Sequence, residues 1–202
     1  MSQPPDPGER TSPRQRLLER AIEYVAEHGI GDLSLRALAS ALGTSHRMLI
    51  HYFGSKEGLW VEIVRTVEER ERQLLAELPP ESGEPVGVEM RRWWKHFSDP
   101  SLWPQERLFF ELYGQALQGR PHTTDVLDGI VENWIEPITE LSVARGVPRA
   151  VARAHARLGV AVTRGLLLDL LATGEVESVD AAMDAFISMT EAWLERVSLS
   201  AA

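Results

Sequence analysis

Apolar residues recur at helical spacing along almost the whole chain, and no stretch of useful length alternates as a strand does. Stripes of that period are buried by packing helix against helix, so the sequence predicts an all-α fold. The helix boundaries are marked. Ser12 suits an N-cap, Pro13 the first helical position, and Gln15 completes a capping-box pattern for a helix with the stripe Leu18, Ile22, Val25 and Ala26. Gly29 is placed to end it. Ser34 caps a short second helix whose inward face is Leu35, Leu38, Ala39 and Leu42. After Gly43, Thr44 or Ser45 caps a third helix reaching Phe53, and Ser55 caps a fourth from Lys56 to Leu78, stopped by Pro79-Pro80. Five more helices are expected at about 86–98, 104–118, 123–145, 148–173 and 178–198. Pro104 and Pro148 suit first positions, Ser178 suits the last cap, and Pro137 should kink the helix that contains it. The expectation is about nine helices and no sheet.

At 202 residues, with 44% of them hydrophobic, the chain can bury a core as one large domain or as a small module joined to a larger one. It has no cysteine, hence no disulfide framework, thiolate metal site or thiol redox switch. Met1 to Pro13 holds four prolines and almost nothing apolar, which reads as a disordered tail and not as a signal peptide. The longest apolar region, Leu158 to Ala172, is interrupted by Thr163, Arg164 and Asp169. It is also shorter than the roughly 20 residues a bilayer requires. A cytoplasmic protein with no membrane partner is expected.

The net charge of −9 argues against a nucleic-acid partner until its distribution is read. Residues 1–60 carry seven Lys/Arg and seven Asp/Glu, whereas the remainder carries fourteen against twenty-three. Between Leu33 and Lys56 lie Arg36, Arg47, Lys56 and two histidines, with no acid. That window is where a phosphate backbone would be tolerated, although a solvated loop has the same charge pattern.

The same window has the geometry of a helix-turn-helix: two short helices, a glycine turn and a supporting helix. Leu38, Leu42, Leu49 and Phe53 can clamp the pair together, which leaves His46, Arg47, Ile50 and His51 on the outer face of the second helix. Such a face is narrow enough for a major groove. An ordinary αα-hairpin with surface cations would share the bare pattern. The residues themselves are more specific. The run Leu33-Ser-Leu-Arg-Ala-Leu-Ala-Ser-Ala-Leu-Gly-Thr-Ser, then Leu49 and Tyr52-Phe53-Gly-Ser-Lys-Glu-Gly-Leu59, resembles the N-terminal domain of the TetR family over about residues 14–60.

The resemblance implies a ligand-responsive transcriptional regulator, most simply a repressor, that binds a palindromic double-stranded DNA operator as a homodimer. It divides the chain into a tail (1–12), a helix-turn-helix domain (13–58) and an effector-binding and dimerisation domain (59–202). Carried over by position, Ser34, Arg36, Thr44, Ser45, His46, Arg47, Ile50, His51, Tyr52 and Lys56 form the DNA-binding set. His46 and Arg47 stand where relatives read base edges, and Tyr52 and Lys56 where they grip phosphates. Most relatives have a tyrosine at the position of Ile50. Tyr52 or His51 replaces that contact, or Ile50 packs on a thymine methyl instead.

All tryptophans except Trp60 lie beyond the helix-turn-helix. Trp93, Trp94, Phe97, Trp103, Phe110, Tyr113 and Trp134 crowd the middle of the chain and are the candidates to line a pocket for an apolar or aromatic effector. Large rings at helical spacing are first of all core, and that is the plainer reading for any single one of them. Glu111, Gln115, Asn133 and Arg164 are polar groups available to orient such a ligand. In the last two helices Leu166, Leu170, Phe186, Met189 and Trp193 are candidates for the dimer interface, the alternative being the central helices of a monomer.

Enzymatic chemistry has no foothold in the sequence. There are no Glu-x-x-His pairs for a di-iron site, no glycine-rich phosphate loop, no Gly-x-Ser-x-Gly elbow and no zinc-ligand spacing. His28, His96, His122 and His155 are scattered and expected at the surface, so no cofactor or metal is expected.

Overall fold

The computed structural model describes residues 12–29, 33–76 and 84–201, with side chains through Val197. The expected tail therefore lies outside the described residues, apart from Ser12. Nine α-helices follow one another in this part of the chain: α1 Pro13–His28, α2 Leu35–Ala41, α3 His46–Phe53, α4 Lys56–Ala76, α5 Val86–Phe97, α6 Trp103–Leu117, α7 Glu132–Ala144, α8 Arg149–Thr173 and α9 Val176–Ala201. Short 3-10 turns at Pro100–Leu102 and Thr124–Leu127 complete the elements, and the described residues contain no strand. No helix among them is long and apolar enough to cross a membrane.

The caps act as their chemistry predicts. The hydroxyls of Ser12, Ser34 and Ser45 accept from the backbone N–H three residues on, at 3.1–3.2 Å, and Ser55 does the same for Gly58 at 2.9 Å. Between the two short helices Gly43 takes φ +57, a left-handed conformation that glycine adopts without strain. Leu38, Leu42, Leu49 and Phe53 all lie buried between α1, α2 and α3. Each such leucine removed from water contributes roughly 1.5–3 kcal/mol.

Three buried clusters organise the molecule. The first joins α1, α2 and α3 to Leu59–Val64 of α4 and to Leu108, Phe109, Leu112 and Ala116 of α6. The expected division at residue 58 falls inside this cluster. A second unites Trp94 of α5 with Leu167 and Leu170 of α8 and Met183, Phe186 and Ile187 of α9. The third gathers Leu75 of α4, Trp134 and Ile135 of α7, and Ala156 and Val160 of α8. Along the α7–α8 hairpin, Arg149, Arg153 and Arg157 face Glu132, Glu136 and Glu140 as an exposed ladder of ion pairs.

Several boundaries differ from expectation. The helix expected over 123–145 is two elements, because the chain turns extended at Asp128 and left-handed at Gly129, φ +71. A Cβ at Gly129 would lie 2.5 Å from the Asn133 side chain. α7 runs on through Pro137. Pro148 stands before the first turn of α8, as its N-cap. α9 starts at Val176, so Ser178 is inside the helix, and the Thr173 hydroxyl accepts from Glu175 N–H just ahead of it.

Candidate nucleic-acid interface and ligand cavity

α3 presents its outer face without cover. His46, Arg47, Ile50 and His51 are exposed, as are Arg36 on α2 and the caps Ser34 and Ser45. Arg36 and Arg47 make no ion pair among the described residues, so their charge is available to solvent or a ligand. Thr44 and Tyr52 are half-buried, and Tyr52 packs on the first cluster. Its ring lies 5.1 Å from that of His51. Its carbonyl accepts from Arg14 Nε at 3.4 Å, which ties α1 to the end of α3. Lys56 stands at the amino end of α4 with its ammonium 5.9 Å from the Trp60 ring centre. Gly58 lets α4 begin tight against α3: a Cβ there would lie 2.3 Å from the Phe53 carbonyl oxygen. All ten candidate residues thus lie on or beside the α2–turn–α3–α4 edge of the molecule.

A cavity of about 210 Å³ lies between α4, α5, α6, α7, α8 and α9, with walls mostly apolar. Trp93, Trp94, Phe97 and Trp134 line it; Trp103, Phe110 and Tyr113 do not. Trp103 is held aside by its indole N–H, which donates to the Ser98 carbonyl at 3.1 Å. Phe110 packs into the core clusters, and Tyr113 lies against Phe109 and the Arg164 guanidinium. Of the polar groups expected to orient a ligand, Arg164 alone reaches the cavity. Glu111 and Gln115 hydrogen-bond each other at 3.1 Å, and Asn133 is exposed.

The cavity's ionisable groups were mostly invisible in the sequence. Glu68, Glu89, Glu106, Arg145, His155 and Arg164 line it. Trp134 Nε1 donates to Glu68 at 2.6 Å, and the Arg164 guanidinium stands 3.6 Å from the same carboxylate. Burial nevertheless raises the Glu68 pKa, and it lowers that of Arg164. Arg164 also donates to the Ile130 carbonyl at 2.6 Å and lies over the Phe109 ring, 5.1 Å from its centre. At the other end Arg145 forks onto Glu89 at 2.6–2.7 Å. Glu106 is half-buried by surface area because it borders the cavity, yet its surroundings desolvate it. Desolvation, with help from Glu68 and Glu71, pushes its pKa up to about 8.

His155 corrects the expectation of four surface histidines. It lines the cavity, stacked 3.9 Å from the Trp193 ring with the planes 5° apart, and burial lowers its pKa. His96 is half-buried and pairs with Glu71 at 2.6 Å. His28 and His122 are exposed. Trp93 carries a different signal, a buried indole N–H with no hydrogen-bond partner.

The candidate dimer residues divide. Leu170 and Phe186 belong to the chain's own core, so they are not available to a partner; Leu166 and Trp193 are half-buried, and Met189 is 62% exposed. Among the open apolar positions instead are Leu158, Ala161, Gly165 and Leu168 on α8, with Ala185, Met189 and Ala192 on α9. Their spacing of three and four keeps each set on one helix face.

Together these features define a helix-turn-helix protein whose remaining helices enclose a cavity. Residues 17–63 match the family described as bacterial regulatory proteins, tetR family. The regulatory protein RaaS of Mycobacterium tuberculosis is 54% identical over 44 residues, 22% of this chain and 20% of that protein. The transcriptional repressor AcnR of Corynebacterium glutamicum is 36% identical over 67 residues, 33% of this chain and 36% of that protein. The similarity thus spans about a fifth to a third of the length of these relatives. The fold is similar over nearly the whole chain to a transcriptional regulator from Rhodococcus sp. Rha1, with TM-score 0.70 and 20% identity over 88% of this chain and 95% of that one. It is also similar to a putative transcriptional regulator from Saccharomonospora viridis in complex with choline, with TM-score 0.66 and 19% identity over 87% and 95%. The likeness to that family in sequence covers residues 17–63, and beyond them the likeness is one of fold.

Proposed function

We propose that this protein is a ligand-responsive transcriptional repressor, not an enzyme: a cytoplasmic homodimer that grips a palindromic operator through α3 and is released when a compact, mainly apolar or aromatic effector fills the cavity. The observation that carries the reading is the uncovered outer face of α3, where His46, Arg47, Ile50 and His51 stand in a window without acidic residues. The AcnR relative, 36% identical over a third of this chain, is a repressor.

α4 supplies the link. It begins at Lys56 beside α3 and carries Glu68 and Leu75 into the cavity wall, so a ligand that displaces one end of this helix moves the other. Ion pairs of Arg14 with Glu62 and Arg70 with Glu19 make α1 travel with α4. A protein with this fold has been solved in complex with choline, which supports ligand binding by such a fold. The open stripes of α8 and α9 are the faces for a two-fold partner.

Selection of genomic fragments on the purified protein, followed by sequencing, tests the reading. A recovered palindrome with half-site centres about one helical turn or a multiple apart is the expected result. Recovery of random sequence would show that α3 reads no bases.

A further inference from the structure

We infer that the effector is a lipophilic monocation, an organic ammonium whose charge is neutralised by Glu106 and whose substituents pack on the aromatic walls of the cavity. This inference rests on the cavity being the effector site. Its basis is the balance of charge around the void. Glu68 is matched by Arg164, and Glu89 by Arg145. Glu106 is left with no ion pair among the described residues, and it lines the cavity. A buried carboxylate next to an apolar void, without a counter-ion of its own, is the complement of a cation that fills that void. Trp93, Phe97 and Trp134 present rings to the same space, and ring faces attract an ammonium while tolerating its methyl groups.

Desolvation, and then the charges around it, keep Glu106 protonated while the site is empty. Glu68 and Glu71 of α4 add negative charge, and Arg164 of α8 offsets them only in part because Glu68 and the Ile130 carbonyl share it. Arg72 of α4 lies against Glu68 and Glu69, and His96 of α5 against Glu71. α7 and α9 place no ionisable side chain in the cavity wall. With a pKa of about 8 the free carboxyl is largely neutral at pH 7. A cation beside it favours the charged form, so uptake of the ligand expels the carboxyl proton to solvent. Atoms and charge balance: one cation enters and one proton leaves.

The test uses the full-length protein with benzyltrimethylammonium, a permanent cation, and with neopentylbenzene, its neutral carbon isostere. Calorimetry in buffers of different ionisation enthalpy should show release of close to one proton per cavity at pH 7 with the cation and none with the isostere. Cation affinity should fall about tenfold from pH 7 to pH 6, below the Glu106 pKa of about 8. Glu106→Gln should remove both the proton release and the pH dependence and weaken the cation at least tenfold, while leaving the isostere unchanged. Equal binding of isostere and cation, cation binding without proton release, or no cation binding at millimolar concentration overturns the inference. Cation binding with proton release that leaves operator retention unchanged would instead overturn the repressor reading and leave the site chemistry standing.

Discussion

At the level of single residues, two cations near α3 have different expected duties. Arg47 projects from the outer face of the helix, whereas Lys56 begins the next one. A phosphate contact carries no sequence information and a base contact does. Arg47→Ala should therefore cost about 1–3 kcal/mol on the operator and relax the preference at one base pair per half-site. Lys56→Ala should weaken operator and scrambled duplex alike and lower the salt slope by roughly one per lost contact, so about two per dimer. Titrations of both variants at several salt concentrations decide this; equal loss on both duplexes for Arg47→Ala would make it a backbone contact. Gly58 supplies a packing test. A methyl group there would meet the Phe53 carbonyl at 2.3 Å, a backbone atom that does not swing aside. Gly58→Ala should lower stability by about 1–3 kcal/mol, read as a reduced urea midpoint with an unchanged slope.

Among the elements, α8 and α9 are the faces proposed for assembly, and the residues that test this are those the chain leaves open. Leu158→Glu or Met189→Glu places a charge on an exposed stripe and should convert dimer to monomer in light scattering while preserving the helical circular dichroism signal. Phe186→Ala acts on the interior instead and should cost about 3–5 kcal/mol of stability. Wild-type protein that scatters as a monomer at micromolar concentration would remove the dimer from the proposal. Helical periodicity located both helices but did not separate partner-facing from core-facing residues. Leu170 and Leu168 are chemically alike and two positions apart, and only the packing of α5 and α9 against one side of α8 distinguishes them.

For the molecule as a whole, the proposed function makes cavity and α3 two ends of one equilibrium. Any ligand that weakens operator binding must itself be bound more weakly by operator-loaded protein, by the same factor. Tryptophan fluorescence titrations with and without operator measure both arms, and a ligand indifferent to DNA shifts nothing. Stability should carry the same signature. Glu106 has a folded pKa of about 8 against an ordinary value of 4.5, so across that interval the folded chain holds a proton that the unfolded chain has lost. Glu106 therefore makes the ligand-free protein less stable as pH rises through that window. Glu106→Gln should remove this slope and be the more stable protein at pH 8, measured by chemical denaturation across the range.

The sequence by itself determined the helical class, the positions of most helices and the helix-turn-helix, because these depend on interactions within a few residues. Serine caps, glycine turns and the four-residue spacing of Leu38 with Leu42 and of Leu49 with Phe53 act locally, and their outcome is legible along the chain. Apart from Arg164, the cavity's polar groups were not legible. Glu68 sits in the charged run Glu68-Glu69-Arg70-Glu71-Arg72, which reads as a solvated face, and Glu106 follows a proline in an ordinary first turn. Their burial depends on α7 and α8 closing over α4 and α6. Tertiary structure also divided the aromatic residues, setting Trp93, Trp94, Phe97 and Trp134 on the cavity and Trp103, Phe110 and Tyr113 away from it. Desolvation and unmatched charge arise from what neighbouring helices place around a group, and no spacing within a single helix encodes them.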